Sequence, residues 1–344
     1  MKTASDKFEF KEEQFGPLLP YIQDDNVTDI NYNGTDVWID DLTRGRYKSN
    51  VNLTPEFVNQ FTVRIADRVS QPFNQYTPLL EAETNTLRVS IVHESVLNTG
   101  RSISIRKTPV IKRLTVQKML SEDYCTKEIL DLLINCINGK MNMMMCGLPG
   151  TGKTELLKFL TNYIPENERV ITIEDNLEIH YAEINPGKDC VEMKVDSGRF
   201  DYVTAIKACL RQNPQWILLS EARSTEVRYL IESMSTGTHC LTTIHTDDVR
   251  KVPDRVKNMV QDGTAAERIV NDVFAFLDVA VLIVKTFHNG RILRRIEQIC
   301  FFSRENGVNT TVLIADDGKI INHDIPEEIR KKFETYRVYK PFER

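Results

Sequence analysis

Eight residues, Gly147-Leu148-Pro149-Gly150-Thr151-Gly152-Lys153-Thr154, constrain this chain more than any other stretch. They fill every fixed position of the phosphate-loop pattern G-x-x-x-x-G-K-[ST]. An apolar run over 141–146 (MNMMMC) precedes them, and an amphipathic pattern over 154–164 (TELLKFLTNYI) follows. A strand, a glycine loop and a helix in that order belong to a parallel sheet with helices on its faces. Gly147, Gly150 and Gly152 let the backbone curl so that amide N–H groups face one centre. The helix N-terminus adds partial positive charge there. Lys153 is expected to reach the β and γ oxygens of a nucleoside triphosphate, and Thr154 to offer its hydroxyl to Mg²⁺. Thr151 and Glu155 complete the expected nucleotide-binding segment.

From residue 141 onward apolar runs alternate with helical patterns. The runs are MNMMMC, RVITIE (169–174), WILLSE (216–221), CLTTIH (240–245) and DVAVLIV (278–284). Runs so continuously apolar fit strands covered on both faces. RRIEQICFF and TTVLI read as further strands, Asp316-Asp317-Gly318 as a turn, and Asp324 with Glu327 as the start of a last helix. The amino-terminal part has another texture. VTDINYNGTDVWID places two alternating runs around Asn33-Gly34, a hairpin signal. Thr54-Pro55 opens a helix with Phe57, Phe61, Ile65 and Val69 on one stripe. TLRVSIV (86–92) and SISIRK (102–107) alternate as half-buried strands, with Arg88 and Arg106 opposite the apolar side chains. The expected organisation is α/β throughout: a mixed α/β domain over 1–107, a linker over 108–127 around Lys107-Thr108-Pro109, and a phosphate-loop domain over 128–344.

Composition excludes several other classes. A net charge of −5 gives no general attraction to nucleic acid, so no direct sequence-specific nucleic-acid binding is expected. No stretch reaches 18 uninterrupted apolar residues, and the start, MKTASDKFEFKEEQ, lacks the apolar run of a secretory leader. A cytoplasmic protein, bound to membranes only through partners, is the expectation. The seven cysteines, at 125, 136, 146, 190, 209, 240 and 300, form no C-x-x-C pair, which argues for reduced, buried thiols over zinc or disulfides.

Hydrolysis requires acids near the metal and the attacking water. One apolar run ends in Glu174-Asp175 with Glu178 close behind, and another ends in Glu221 followed by Arg223. In a parallel sheet such strand ends gather beside the ligand. His239 and His245 flank a third strand, and a neutral imidazole at its exit can sense a phosphate by hydrogen bonding.

Taken in order, these elements resemble the hexameric ATPases of type II and type IV secretion, conjugation and type IV or tight-adherence pilus systems. The similarity runs from about residue 15 to 300. It comprises the Walker A loop at 147–154, an "Asp box" VITIEDNLEI at 170–179, a Walker B region ILLSEAR at 217–223 and a "His box" near 236–245, with VTDINYNG and SIRK in the amino-terminal part. The resemblance implies a RecA-like phosphate-loop domain, ATP and Mg²⁺ as cofactors, a homo-hexamer, and a membrane platform protein as partner at the cytoplasmic face of the inner membrane. It implies Glu174 as the water-orienting acid and Glu221 as support for Mg²⁺ or the water, leaving open which is the principal base. Arg223 and His245 join them in the catalytic group, and Arg106 with Arg88 match arginines that reach the nucleotide phosphates. Departures are Ser220 in place of the Walker B glycine, Ser224 after the arginine, and Thr238 at the first His-box position, which displaces His239 by one. The four-cysteine insertion of some branches is absent, which turns the reading toward conjugation, tight-adherence or retraction machines.

Two rivals remain on sequence grounds. Another phosphate-loop enzyme, a small-molecule kinase or a GTPase, is one, although no N-K-x-D guanine-reading motif occurs. A regulatory subunit that binds nucleotide with little turnover is the other.

Overall fold

The computed structural model describes residues 11–196, 198–260 and 263–344. The first ten residues, on which the leader reading partly rests, lie outside the described residues. The chain divides into two compact units, Met1–Val110 with Phe287–Leu293, and Ile111–Thr286 with Arg294–Arg344.

The amino-terminal unit is built on an antiparallel sheet. Its strands are β1 (Val27–Tyr32), β2 (Val37–Asp41), β3 (Gly45–Lys48), β4 (Leu79–Glu83), β5 (Leu87–Val92) and β6 (Ser102–Lys107), in the order β3-β2-β1-β6-β5-β4. Alternation sends Ile30, Ile39, Val89, Ile91, Ile103 and Ile105 to one face, where they are buried with Phe61 and Ile65 of the helix Pro55–Val69. Thr54 caps that helix by accepting from the Phe57 N–H, and Pro55 occupies the first helical position. The β1–β2 connection is longer than Asn-Gly alone requires. Tyr32 pairs with Val37 across residues 33–36, and the Asn33 side chain accepts from the Thr35 and Asp36 amides at 3.0 and 2.8 Å. Gly34 is fixed by crowding, since a Cβ there would lie 2.0 Å from the Thr99 carbonyl oxygen.

The second unit carries nine strands: β7 (Met143–Cys146), β8 (Val170–Glu174), β9 (Cys190–Lys194), β10 (Trp216–Leu219), β11 (His239–Ile244), β12 (Val279–His288), β13 (Arg291–Glu305), β14 (Val308–Asp316) and β15 (Lys319–Ile320). They run in the order β15-β14-β13-β12-β7-β11-β10-β8-β9, parallel from β12 to β9 and antiparallel among β13, β14 and β15. Met143 and Met145 pack into one core and Met144 and Cys146 into the other, so an uninterrupted apolar run is what two covered faces demand. Six of the seven cysteines are buried and all are free.

Two sequence expectations need correction. β9 was not anticipated, because its half-buried edge position leaves a short mixed run, CVEMK, with no clear period. The last helix spans Glu327–Thr335 and does not start at Asp324. Pro326 stands at its cap, and a residue before proline is pushed out of helical geometry, which keeps Ile325 outside the helix.

Candidate nucleotide site

Parallel register brings the carboxyl ends of four strands together. Ile244 of β11 lies beside Cys146 of β7, and Leu219 of β10 lies between Thr242 and Ile173. The glycine loop leaves β7 at this edge and enters the helix Lys153–Leu160. Gly147 (φ 152°) admits no side chain, since a Cβ would sit 2.5 Å from Thr151 Oγ1 and 2.6 Å from the Ile283 carbonyl oxygen. Gly150 and Gly152 also take positive φ, 76° and 94°. Thr151 is buried and donates its hydroxyl to the Leu148 carbonyl at 3.0 Å.

Lys153 is buried, and that burial pushes its pKa down. Its ammonium donates to the Gly147 carbonyl at 3.0 Å and lies 3.2 Å from His245 Nδ1. The other ring nitrogen of His245 is 2.7 Å from Glu221 Oε1. Glu221 Oε2 accepts from Arg223 Nε at 2.8 Å, and Arg223 Nη1 donates to Asp175 Oδ2 at 2.7 Å. Burial works against the Arg223 charge, yet the Glu221 hydrogen bond and the charges of Asp175 and Glu221 raise its pKa on balance. Five side chains from three strand ends and the loop thus form one continuous polar chain. His245 Nδ1 lies 3.2 Å from both the Lys153 ammonium and the Gly147 carbonyl oxygen, so the ring is held between the loop and Glu221.

Glu174 and Glu178, four residues apart, are placed differently. Glu174 is fully buried, and its Oε2 accepts the amides of Glu178 and Ile179 at 2.9 and 3.0 Å. Its Oε1 is buried without a hydrogen-bond partner among the described residues. Burial, the largest cause, raises this carboxyl to about 8, against the pull of the two amides. Glu178 instead reaches the loop: Thr154 Oγ1 donates to its Oε2 at 3.3 Å. Glu174 is thus enclosed at the end of β8, and Glu178 is the acid hydrogen-bonded to the loop. The acid at the end of the buried run shapes the backbone, and the one four residues on is presented beside Thr154. In the sequence Glu178 appears only as a neighbour of the Glu174-Asp175 strand end and carries no assigned role, because it does not itself close an apolar run. Glu155 also turns from the loop centre, since its carboxylate lies 3.8 Å from both Arg113 Nε and Lys158 Nζ.

His239 stands at the start of β11, a strand length of roughly 20 Å from His245. Its ring packs on Trp216 and Tyr336, and burial, with the Lys332 and Lys140 charges, lowers its pKa to about 4. Arg88 and Arg106 belong to the amino-terminal unit, where they face each other in register across β5 and β6. Arg106 Nε pairs with Asp29 at 2.9 Å and Arg88 with Glu81 at 3.6 Å.

Among the described residues no cluster of three or more His, Cys, Asp or Glu could hold a metal ion. The oxygens of Thr154 and Glu178 are hard ligands of the kind Mg²⁺ accepts, and two are too few for a cage supplied by protein alone. A Mg²⁺ bound here would therefore complete its shell with phosphate and water oxygens. Glu221, expected near the metal, has its two oxygens committed to His245 and Arg223.

A glycine loop between a central parallel strand and a helix, with strand-end acids from β8 and β10 and a histidine from β11, defines a RecA-like phosphate-loop protein. Residues 77–308 match the family model described as type II/IV secretion system protein, and the chain belongs to that family. Protein VirB11 of Agrobacterium fabrum is 34% identical to it over 150 residues, 41% of this chain and 42% of that protein. An uncharacterised protein of Bacillus anthracis is 27% identical over 280 residues, 79% of this chain and 63% of that protein. The chain thus spans less than two thirds of either relative. The crystal structure of the pilus retraction motor PilT with bound ADP shares the fold, with a TM-score of 0.61 at 16% identity over 95% of this chain and 87% of that one. Among the described residues no helix is long and apolar enough to cross a membrane.

Proposed function

We propose that this chain is an ATP-hydrolysing motor subunit, working as a homo-hexamer on a membrane platform protein of a secretion, conjugation or pilus machine. The observation that carries the reading is the polar chain from Lys153 through His245, Glu221 and Arg223 to Asp175, set beside the Thr154–Glu178 pair at a helix N-terminus. Lys153 and the loop amides hold the phosphates. Glu178 orients the attacking water, and Glu221 supports His245, whose ring sits against the phosphate-binding lysine. Thr154, with Glu178 beside it, would hold a Mg²⁺, which would supply neutralisation of phosphate charge. Arg106, with Arg88, contributes cationic contacts to the phosphates from the amino-terminal domain, which caps the nucleotide and makes ring contacts. Family membership and the PilT-like fold support the reading.

Phosphate release from purified protein with Mg²⁺ and ATP tests it. Turnover should fall by at least ~100-fold in Lys153→Ala. Full turnover in that variant would overturn the assignment. Tight ATP binding without turnover, with a membrane platform protein present, would favour the regulatory subunit, and phosphorylation of a co-substrate would favour a kinase.

A further inference from the structure

The β12–β13 hairpin brings two cations to the outer wall of the phosphate loop, and neither belongs to the loop motif. Arg294, early in β13, donates from Nε to the Gly150 carbonyl at 3.3 Å, and its Cδ lies 3.7 Å from where a Cβ on Gly152 would stand. Its guanidinium is half-buried, and that burial lowers its pKa, as expected of a cation held against backbone instead of in open solvent. Lys285, late in β12, places its ammonium 3.2 Å from the position of a Cβ on Gly150. That ammonium is exposed and makes no ion pair or hydrogen bond among the described residues. Gly150 is thus doubly constrained: its φ of 76° suits glycine, and the missing side chain leaves room for an ammonium over the loop.

The two cations act differently on physical grounds. A peptide's C=O and N–H point in opposite directions, so a guanidinium holding the Gly150 carbonyl fixes the next amide as well. An ammonium without a counter-charge beside a loop that gathers phosphates presents a charge to an anion. We propose that β12–β13 supplies a second cationic wall to this site, with Lys285 as a direct contact to the terminal phosphate of bound ATP and Arg294 as a positioning residue for the Gly150–Thr151 peptide. The inference rests on the nucleotide reading above and names two of its ligand-side groups.

The test uses the full chain with Mg²⁺, comparing wild type, Lys285→Ala, Arg294→Ala and Arg294→Lys for ATP and ADP affinity, phosphate release and melting temperature. Lys285→Ala should weaken ATP by about fivefold, near the upper end for an exposed charge pair, and ADP by less than about twofold. Arg294→Ala should lower kcat about tenfold, the scale of one hydrogen bond to a charged group, with KM within about twofold. Arg294→Lys should recover part of the loss, since its ammonium can still reach the carbonyl. Unchanged affinity in Lys285→Ala, or equal weakening of ATP and ADP, overturns the terminal-phosphate contact. Unchanged kcat in Arg294→Ala, or loss of kcat, KM and melting temperature together, overturns the positioning role. If wild type itself neither binds ATP nor releases phosphate, the motor reading fails first, and that result differs from every variant-specific one.

Discussion

Glu174 and Glu178 sit four residues apart and differ in every property that matters for chemistry. The first is sealed from solvent, spends one oxygen on two backbone amides and has its carboxyl raised to about 8. The second touches the Thr154 hydroxyl at the mouth of the loop. A group that orients water must be within reach of it, and of the two Glu178 is the one that is partly exposed and hydrogen-bonded to the loop hydroxyl, whereas Glu174 is enclosed. Glu178→Gln is expected to cut kcat by roughly 100-fold or more, with ATP affinity changed little. Glu174→Gln keeps an oxygen to accept the two amides and should cost about tenfold or less. Steady-state kinetics on both variants decide the matter, and the reverse ranking would restore Glu174 to the reacting centre. Gly147 offers a second check at this scale. Alanine there meets Thr151 and the Ile283 carbonyl, so Gly147→Ala should lose on the order of 1–3 kcal/mol in denaturant unfolding.

At the scale of the element, β11 has two ends with opposite characters. Its exit delivers His245 to the phosphate loop, while its start packs a half-buried His239 against Trp216 and Tyr336, near Lys140 and Lys332. The sequence placed both histidines at the ends of this strand, and parallel pairing with β7 and β10 decides which end meets the loop. His239 should remain neutral in the folded protein down to about pH 4, whereas the unfolded chain takes up the proton below about 6.5. Its contribution to stability is therefore complete above pH 6.5 and lost as the pH falls toward 4. The loss is on the order of 3 kcal/mol. Urea unfolding between pH 7 and 4.5 should show wild type weakening faster than His239→Gln, and identical pH profiles would remove the effect.

For the whole molecule, the expectation is a ring. Light scattering on the purified chain with ATP and Mg²⁺ should report six copies, and a monomer at high concentration with saturating nucleotide would argue against the motor reading. Arg106→Ala should lower turnover on the order of 10³-fold, the lower range for an arginine that stabilises a transferring phosphoryl group. Phosphate release checks it, and unchanged turnover would remove Arg106 from the site while leaving the fold untouched.

Local chemistry alone determined much of this protein. The glycine loop, the continuous apolar runs and the alternating β5 and β6 patterns each follow from short-range rules: positive φ, two covered faces, a period of two. Those rules were sufficient for the parallel sheet, for the loop at its edge, and for Lys153, Glu221 and His245 as neighbours at the strand ends. Tertiary structure decided what depends on burial and on distant partners. Nothing in VITIEDNLEI says which glutamate turns inward, because desolvation is set by side chains packed from elsewhere. Nothing near residues 285 or 294 announces the loop at 147–154, since the neighbourhood arises from the sheet order β13-β12-β7 across some 140 residues of chain.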